Sequence, residues 1–253
     1  MERTINLNSE QFENFLKCLF NLRDVCNDVD IRNGMIRQRT NDKTTIFEMD
    51  LNPLILDSNI GILDLRNKID IFKVFSGQEV EIIIFDSTDE ELGYFILSDQ
   101  YSSIKIKSPT LEYMDNKFID QDQMEHIYSL DEETLLLECD VTKMISDRIK
   151  IITQGLHAKS LQTIFDGETA SLSVTTQSKD QHAKFVQDII MNVPLENCFA
   201  NMTLITFIID HDTDLQLKMY RDEERNITTN TFKTSLGDID MQMYSNSSIL
   251  DLE

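Results

Sequence analysis

The side chains with chemistry to offer are few and scattered. His126, His157, His182 and His211 stand far apart, and none has ligand-like spacing to a cysteine or another histidine. Cysteines fall at 18, 26, 139 and 198 without paired spacing, the pattern of buried free thiols in a reducing compartment rather than of a metal or redox centre. The most metal-like cluster is Asp210-His-Asp-Thr-Asp214. It lies between two apolar strands and lacks the downstream Gly and bidentate Glu of a calcium loop, so it reads as a polar hairpin turn. No phosphate loop, nucleophile elbow or kinase motif is present. The residues predict no catalytic set, no metal and no cofactor: this is not the sequence of an enzyme with a recognisable site.

Charge is the remaining signal. The chain carries 45 acidic against 23 basic residues, a net −22, which on average opposes a phosphate-rich partner. Binding is decided by a local face, however, and the basic residues are not evenly spread. On a helix near 142–153, Lys143, Asp147 and Lys150 share one face with Arg148 beside them. On a helix near 64–75, Arg66, Asp70 and Lys73 do the same, flanked by Lys68. The first helix offers Lys17 and Arg23, and a hairpin at 29–51 adds Arg32, Arg37, Arg39 and Lys43. These are either ordinary solvated helix faces or surfaces that meet phosphates. Charge alone favours the solvated faces.

The elements that must position these groups alternate between helix and hairpin. A length of 253 residues holds one large or two ordinary domains. An apolar fraction of 41% beside 27% charged residues places the chain in the soluble globular class. No apolar run is long enough for a bilayer span, and Glu2 and Arg3 do not open a signal peptide, so a cytoplasmic protein is expected and the three sequons are chance matches. In the first half, a strand (Thr4–Leu7) precedes a helix with Ser9 as N-cap and Phe12, Phe15, Leu16 and Leu19 as its apolar stripe. Extended segments follow at Asp28–Arg39 and Thr44–Leu51, with turns at Asn33-Gly34 and Asn41-Asp42. After a strand–helix–strand at 60–85 come a turn at Thr88–Glu91 and strands near Leu92–Leu97 and Ser102–Lys107.

From Ser108-Pro109 to Glu133 the chain is acidic yet carries Leu111, Tyr113, Met114, Phe118, Met124 and Ile127, which marks a linker lying on a surface rather than a free tether. The second half predicts a strand (Leu135–Asp140), a helix (Thr142–Thr153) with Ile145, Ile149 and Ile152 inward, and extended segments Leu161–Phe165, Thr169–Thr176 and Ala183–Met191. Pro194 opens a second short helix. Strands near Thr203–Asp210, Leu215–Arg221, Thr228–Thr234 and Asp238–Tyr244 complete it.

The chain then says one thing twice. Asn59-Ile-Gly-Ile-Leu-Asp-Leu65-Arg-Asn67 through Phe72 to Val80–Phe85 matches Asp188-Ile-Ile-Met-Asn-Val-Pro-Leu195-Glu-Asn197 through Met202 to Leu204–Ile209. Leu65 pairs with Leu195, Asn67 with Asn197, Ile69 with Phe199 and Phe72 with Met202. A repeated strand–helix–strand unit predicts an α+β fold of two duplicated domains, each with two helices on antiparallel sheets: 1–108 and 134–253, joined by a linker at 109–133.

Helix, hairpins, short helix, linker and the same unit again resembles the DNA sliding clamps of the proliferating-cell-nuclear-antigen type, with the strongest likeness to processivity clamps of tailed phages. Ile60–Leu65 into Ile69–Val74 looks like the second helix of a first clamp domain, and Asp30–Asp42 looks like the hairpin after its first helix. The resemblance covers the whole chain in element order. It implies a non-enzymatic homotrimeric ring, helices inward, that encircles double-stranded DNA without sequence preference and tethers a DNA polymerase, with a clamp loader as further partner. No membrane and no cofactor enter. If the source is viral, the compartment is the infected host cytoplasm, and such rings also assist transcription in phages.

Carried over, Lys17, Arg66, Lys68, Lys73, Lys143, Arg148 and Lys150 would face DNA. Leu111, Tyr113, Met114, Ile249 and Leu250 would line a partner-peptide groove; the bland alternative is that they staple the linker down. Ile104 and Ile106 on one edge, with Phe185, Val186 and Ile189 on the other, would form the subunit interface. The second short helix departs from the pattern in having Glu196 and no basic residue. The rival readings are an acidic scaffold without DNA contact and an enzyme with dispersed site residues.

Overall fold

The computed structural model describes residues 2–23, 25–54, 58–114, 118–156, 160–166, 169–175, 182–185, 190–191, 198–202, 210–222 and 227–251. It divides into two compact units, one of residues 1–123 with 235–241, the other of 124–234 with 242–253. The architecture is α+β with antiparallel sheets.

The first unit opens with β1 (Glu2–Leu7) and α1 (Ser9–Arg23), followed by β2 (Val29–Arg32), β3 (Met35–Arg39), β4 (Thr45–Asp50) and β5 (Ile60–Ile62). Then come α2 (Leu65–Phe72), β6 (Val80–Phe85), β7 (Tyr94–Ser98), β8 (Ser103–Lys107) and one turn of helix, α3 (Leu111–Met114). One sheet runs β1-β6-β7-β8. In the other, β3 pairs with β2 and β4, and β2 with β5. The Asn33-Gly34 turn between β2 and β3 has both residues at positive φ (50° and 74°), the mirror-image turn that suits strand twist and that these two residue types reach at little cost.

Helix α1 buries the expected stripe: Phe12, Phe15, Leu16 and Leu19 are at most 3% exposed. Phe12 meets Phe75 edge-on, Phe15 meets Phe72, and Phe72 stacks on Phe95, so α1, α2 and β7 share one aromatic core. Each such ring contributes roughly 1.5–3 kcal/mol by leaving water. The cap of α1 is Asn8 rather than Ser9: Gln11 N–H donates to Asn8 Oδ1 (2.9 Å), and Asn8 N–H donates to Gln11 Oε1 (3.0 Å). A reciprocal pair satisfies two donors where the serine would satisfy one.

The linker is more structured than a surface tether. Ile119 N–H donates to the Arg37 carbonyl (2.8 Å), Phe118 bridges to Gln38, and Met114 and Ile119 are buried. Pro109 packs so close to Gly61 that a Cβ there would lie 2.7 Å from the proline ring. Arg32 fastens the segment, with Nε donating to Asp30 (2.9 Å), Nη2 to the Leu111 carbonyl (3.3 Å) and the guanidinium 5.0 Å over the Phe118 ring. A further helix, α4 (Gln121–Tyr128), crosses from the sequence of the first unit into that of the second.

The second unit holds β9 (Leu135–Val141), α5 (Lys143–Leu156), β10 (Ser160–Asp166), β11 (Thr169–Thr175) and β12 (His182–Phe185). It continues with β13 (Ile190–Met191), β14 (Cys198–Met202), β15 (Leu215–Asp222), β16 (Ile227–Leu236) and β17 (Ile239–Asp251), whose first residues count with the first unit. Its strand order is β12-β11-β10-β14-β17-β16-β15-β9-β13.

Two expectations are corrected here. The segment 183–191, expected as one strand, is split between β12, paired with β11, and β13, paired with β9. The second short helix was expected to run through Phe199 and Met202, yet Cys198–Met202 is strand β14, with Phe199 opposite Ile164 and Met202 opposite Leu161. Apolar residues at 199 and 202 suit a helical face, but β10 and β17 flank this segment and offer ladders on both sides, which decides short ambiguous runs. Residues 192–197 and 203–209 lie outside the described residues.

Candidate nucleic-acid interface

The basic helix faces are built by different local devices. In the first unit, Leu65 N–H donates to the Asn27 carbonyl (2.7 Å) and Asp64 N–H to Asp28 Oδ1 (2.8 Å), fixing where α2 begins. At its far end, Glu13 of α1 accepts from Ser76 Oγ (2.5 Å) and Gly77 N (2.7 Å). The start of α2 is thus fixed by the 27–28 turn, and the turn that follows it is tied to α1. With Leu65, Ile69 and Phe72 buried, Arg66 and Lys73 are turned outward and Lys68 is half-buried. Lys17 is exposed on α1. Lys73 Nζ lies 2.6 Å from Asp70 Oδ1 and 4.9 Å above the Phe20 ring of α1. The Lys73 hydrogen bond and charge hold Asp70 below the usual carboxylate range.

In the second unit, α5 is held by the loop that the sequence marked as metal-like. Asp214 Oδ1 accepts from Lys143 N–H at the start of the helix (2.9 Å), and Asp210 pairs with Lys150 (2.5 Å). His211 Nδ1 lies 2.6 Å from the Thr213 carbonyl, which can only accept, so Nδ1 carries the proton. Nε2 then accepts from Ser146 Oγ (2.8 Å), and both residues are buried. Burial pushes the His211 imidazole below its ordinary value and Lys143 adds to that, while the Thr213 bond, Asp147 and Asp210 act the other way. The loop is a brace for a helix. Among the described residues no three His, Cys, Asp or Glu side chains converge to hold a metal ion.

Ile149 of α5 is buried, with Ile145 and Ile152 half-buried, as its spacing predicts. Its outward stripe is mixed: Met144 and Ile151 are 57% and 68% exposed on either side of exposed Arg148. Lys143 pairs with Asp147 at 2.6 Å, which is the main cause holding that carboxyl below its usual range. Lys17, Lys68 and Arg148 have no ion-pair partner among the described residues. The hairpin cations differ: Arg32 is engaged by Asp30 and the linker, and Arg37 Nε pairs with Glu48 at 2.6 Å. They brace the fold.

The residues expected to form a partner groove are distributed. Leu111 is half-buried, Tyr113 is 62% exposed and Met114 is fully buried. Ile249 and Leu250 lie on β17, opposite Ala200 and Phe199. The second unit also contains a cavity of about 240 Å3 that sequence reasoning missed. It lies between the linker's end (Ile127, Leu130) and the face of β15–β17, with buried Tyr220 and Tyr244 among its walls. Lys218 reaches into it, 3.4 Å from Glu132 and 3.5 Å from Glu138. The alternation of β15, with Leu215, Leu217 and Met219 buried, leaves Lys218 to the opposite face, so a period-2 reading could have placed it.

Of the interface residues, Ile104 is half-buried and Ile106 is buried, both on β8, an end strand of its sheet. Phe185 is on β12, an end strand of its own sheet among the described residues, and Val186 and Ile189 lie outside the described residues. Cys18, Cys26 and Cys139 are buried free thiols, and burial with neighbouring Asp140 and Glu138 pushes Cys139 up to about 12, far from reactive thiolate. No helix among the described residues is long and apolar enough to cross a membrane.

No protein-family model matches the sequence, and no curated protein sequence is detectably similar to it. Solved structures are. The chain resembles a chain of the PCNA2–PCNA3 complex from Sulfolobus tokodaii over 97% of its length and 99% of that chain, with a TM-score of 0.62 and 11% identity. It resembles PCNA from Thermococcus kodakaraensis over 98% of its length and 100% of that chain, again with a TM-score of 0.62 and 11% identity. The fold is that of a PCNA-type sliding clamp.

Proposed function

We propose that this chain is the subunit of a sliding clamp. Copies join head to tail into a closed trimeric ring around duplex DNA and tether a replicative polymerase to it. The observation that carries the reading is the structural likeness to PCNA over nearly the entire chain. Two features of the molecule support it. Exposed cations are carried on helix faces of a strongly acidic protein, where weak, sequence-blind phosphate contacts permit sliding. Strands β8 and β12 end their sheets and leave backbone groups for a neighbouring copy.

In this reading Lys17, Arg66, Lys68, Lys73, Lys143, Arg148 and Lys150 meet phosphates, and the partner peptide docks on the exposed side of the linker. The cavity walled by Ile127, Leu130, Tyr220 and Tyr244 offers a place for an apolar anchor, because a few enclosed contacts dominate such binding. Of the linker residues that the resemblance assigns to the groove, Leu111 and Tyr113 keep surface for a partner, whereas Met114 is fully buried and supports them.

The test is topological. The protein is threaded onto a linear duplex with biotinylated ends, the ends are blocked with streptavidin, and salt is raised. A ring stays on blocked DNA and leaves open-ended DNA. Loss from both at the same salt concentration contradicts the reading.

A further inference from the structure

At least three of the seven cations on the helix faces are paired with acids. Lys73 pairs with Asp70 at 2.6 Å, Lys143 with Asp147 at 2.6 Å, and Lys150 with Asp210 at 2.5 Å. In every pair the carboxylate is the more exposed partner: 73% against 45%, 52% against 38%, and 61% against 27%. The acid is therefore the more open of the two to solvent, and an arriving phosphate meets it beside its lysine. Two pairs are local to one helix, at i,i+3 and i,i+4, but the third is made across 60 residues from the 210–214 loop, so helix spacing alone does not produce the pattern.

We infer that Asp70, Asp147 and Asp210 are built-in competitors of DNA phosphate. Each holds its lysine in an exchangeable pair, so that contact with DNA swaps one anion for another. Exposed pairs of this kind are weak, which lets a phosphate displace the carboxylate and lets the carboxylate return. The displaced acid stays beside the phosphate and keeps a counterion of its own, so net ion release per contact is small. A ring retained by topology gains from such a grip, because tight contacts would stop it sliding. This inference rests on the helix faces being the DNA-contacting surfaces.

The experiment compares the full-length protein with D70N/D147N/D210N, binding a short labelled duplex across 50–200 mM salt. A second triple variant, D89N/E90Q/E91Q, makes the same charge change on an exposed turn that belongs to neither helix. The expected result is that the first triple binds more tightly and its affinity falls more steeply with salt. The slope should gain up to about 0.9 per unmasked lysine, or about 3.5-fold of extra affinity loss per lysine across that range. The second triple should keep the wild-type slope. If the first triple fails to fold, D70N alone, on an exposed helix face, is read the same way. Wild-type slopes in all variants, or equal steepening in both triples, overturn the masking while leaving the clamp reading intact. Absence of duplex binding by the wild type and every variant overturns the helix-face reading itself.

Discussion

His211 shows how one side chain can set the conditions under which a functional helix holds its place. Its ring joins Thr213 to Ser146, and thereby the 210–214 loop to α5, only in a fixed neutral tautomer. Because burial lowers its folded pKa below the ordinary 6.5, the unfolded chain takes up a proton that the folded chain resists. The stabilisation is complete above pH 6.5 and is lost as pH falls through and below that value. Melting temperatures of wild type and H211Q, measured from pH 7.5 to 5.5, should converge on acidification, with the wild type losing more. Parallel pH curves would remove His211 from this role.

The sequence displayed these residues but not their bonds. Asp210, His211 and Asp214 stood out as a polar cluster, and their spacing excluded calcium, yet nothing in the order of residues said that their partners would be Lys150, Ser146 and Lys143 on a helix some 60–70 positions earlier. The helix cations were legible because spacing on one helix is local information. Their acid partners were legible only where they shared that helix, as Asp70 and Asp147 do.

At the scale of elements, edges matter most. β8 pairs with β7 and with no other strand among the described residues, and its outward residues Ser103, Lys105 and Lys107 are exposed. Lys105 lies 3.3 Å over the Tyr94 ring, and lysines of this kind discourage indiscriminate strand pairing, so assembly at this edge has to be specific. Proline at Ile104 would remove a backbone donor from the strand. If the proposed ring uses this edge, I104P should sediment as monomer at micromolar concentration while the wild type sediments as a trimer. A variant that remains trimeric by light scattering would contradict the assignment of this edge to the interface.

Most elements of the first unit could be read directly, because Phe12, Phe15, Leu16 and Leu19 give one helical period and Val80, Ile82 and Ile84 one strand period. The second unit was harder. Phe199 and Met202, three apart, suit a helical face, and only the ladders to β10 and β17, made by distant residues, select the strand. The linker was recognised from its apolar residues, but its fastening by Arg32 depends on a cation whose sequence neighbourhood pointed to solvent.

At the scale of the whole molecule, organisation was more informative about the fold than composition was. A net charge of −22 argues against DNA when treated as an average, whereas the order of helix, hairpins, helix and linker gave the clamp fold that the PCNA structures share. The repeat of 60–85 in 188–209 indicated a second module, although part of the repeated stretch is strand in the structure. Ring closure is the claim on which the rest depends, since weak phosphate contacts of the proposed kind retain nothing without topology. Averaged electron micrographs of the purified protein, with light scattering on the same sample at micromolar concentration, test it most directly. The account predicts closed rings with a central hole and a mass about three times 29.4 kDa. Solid particles at the mass of one chain would contradict it.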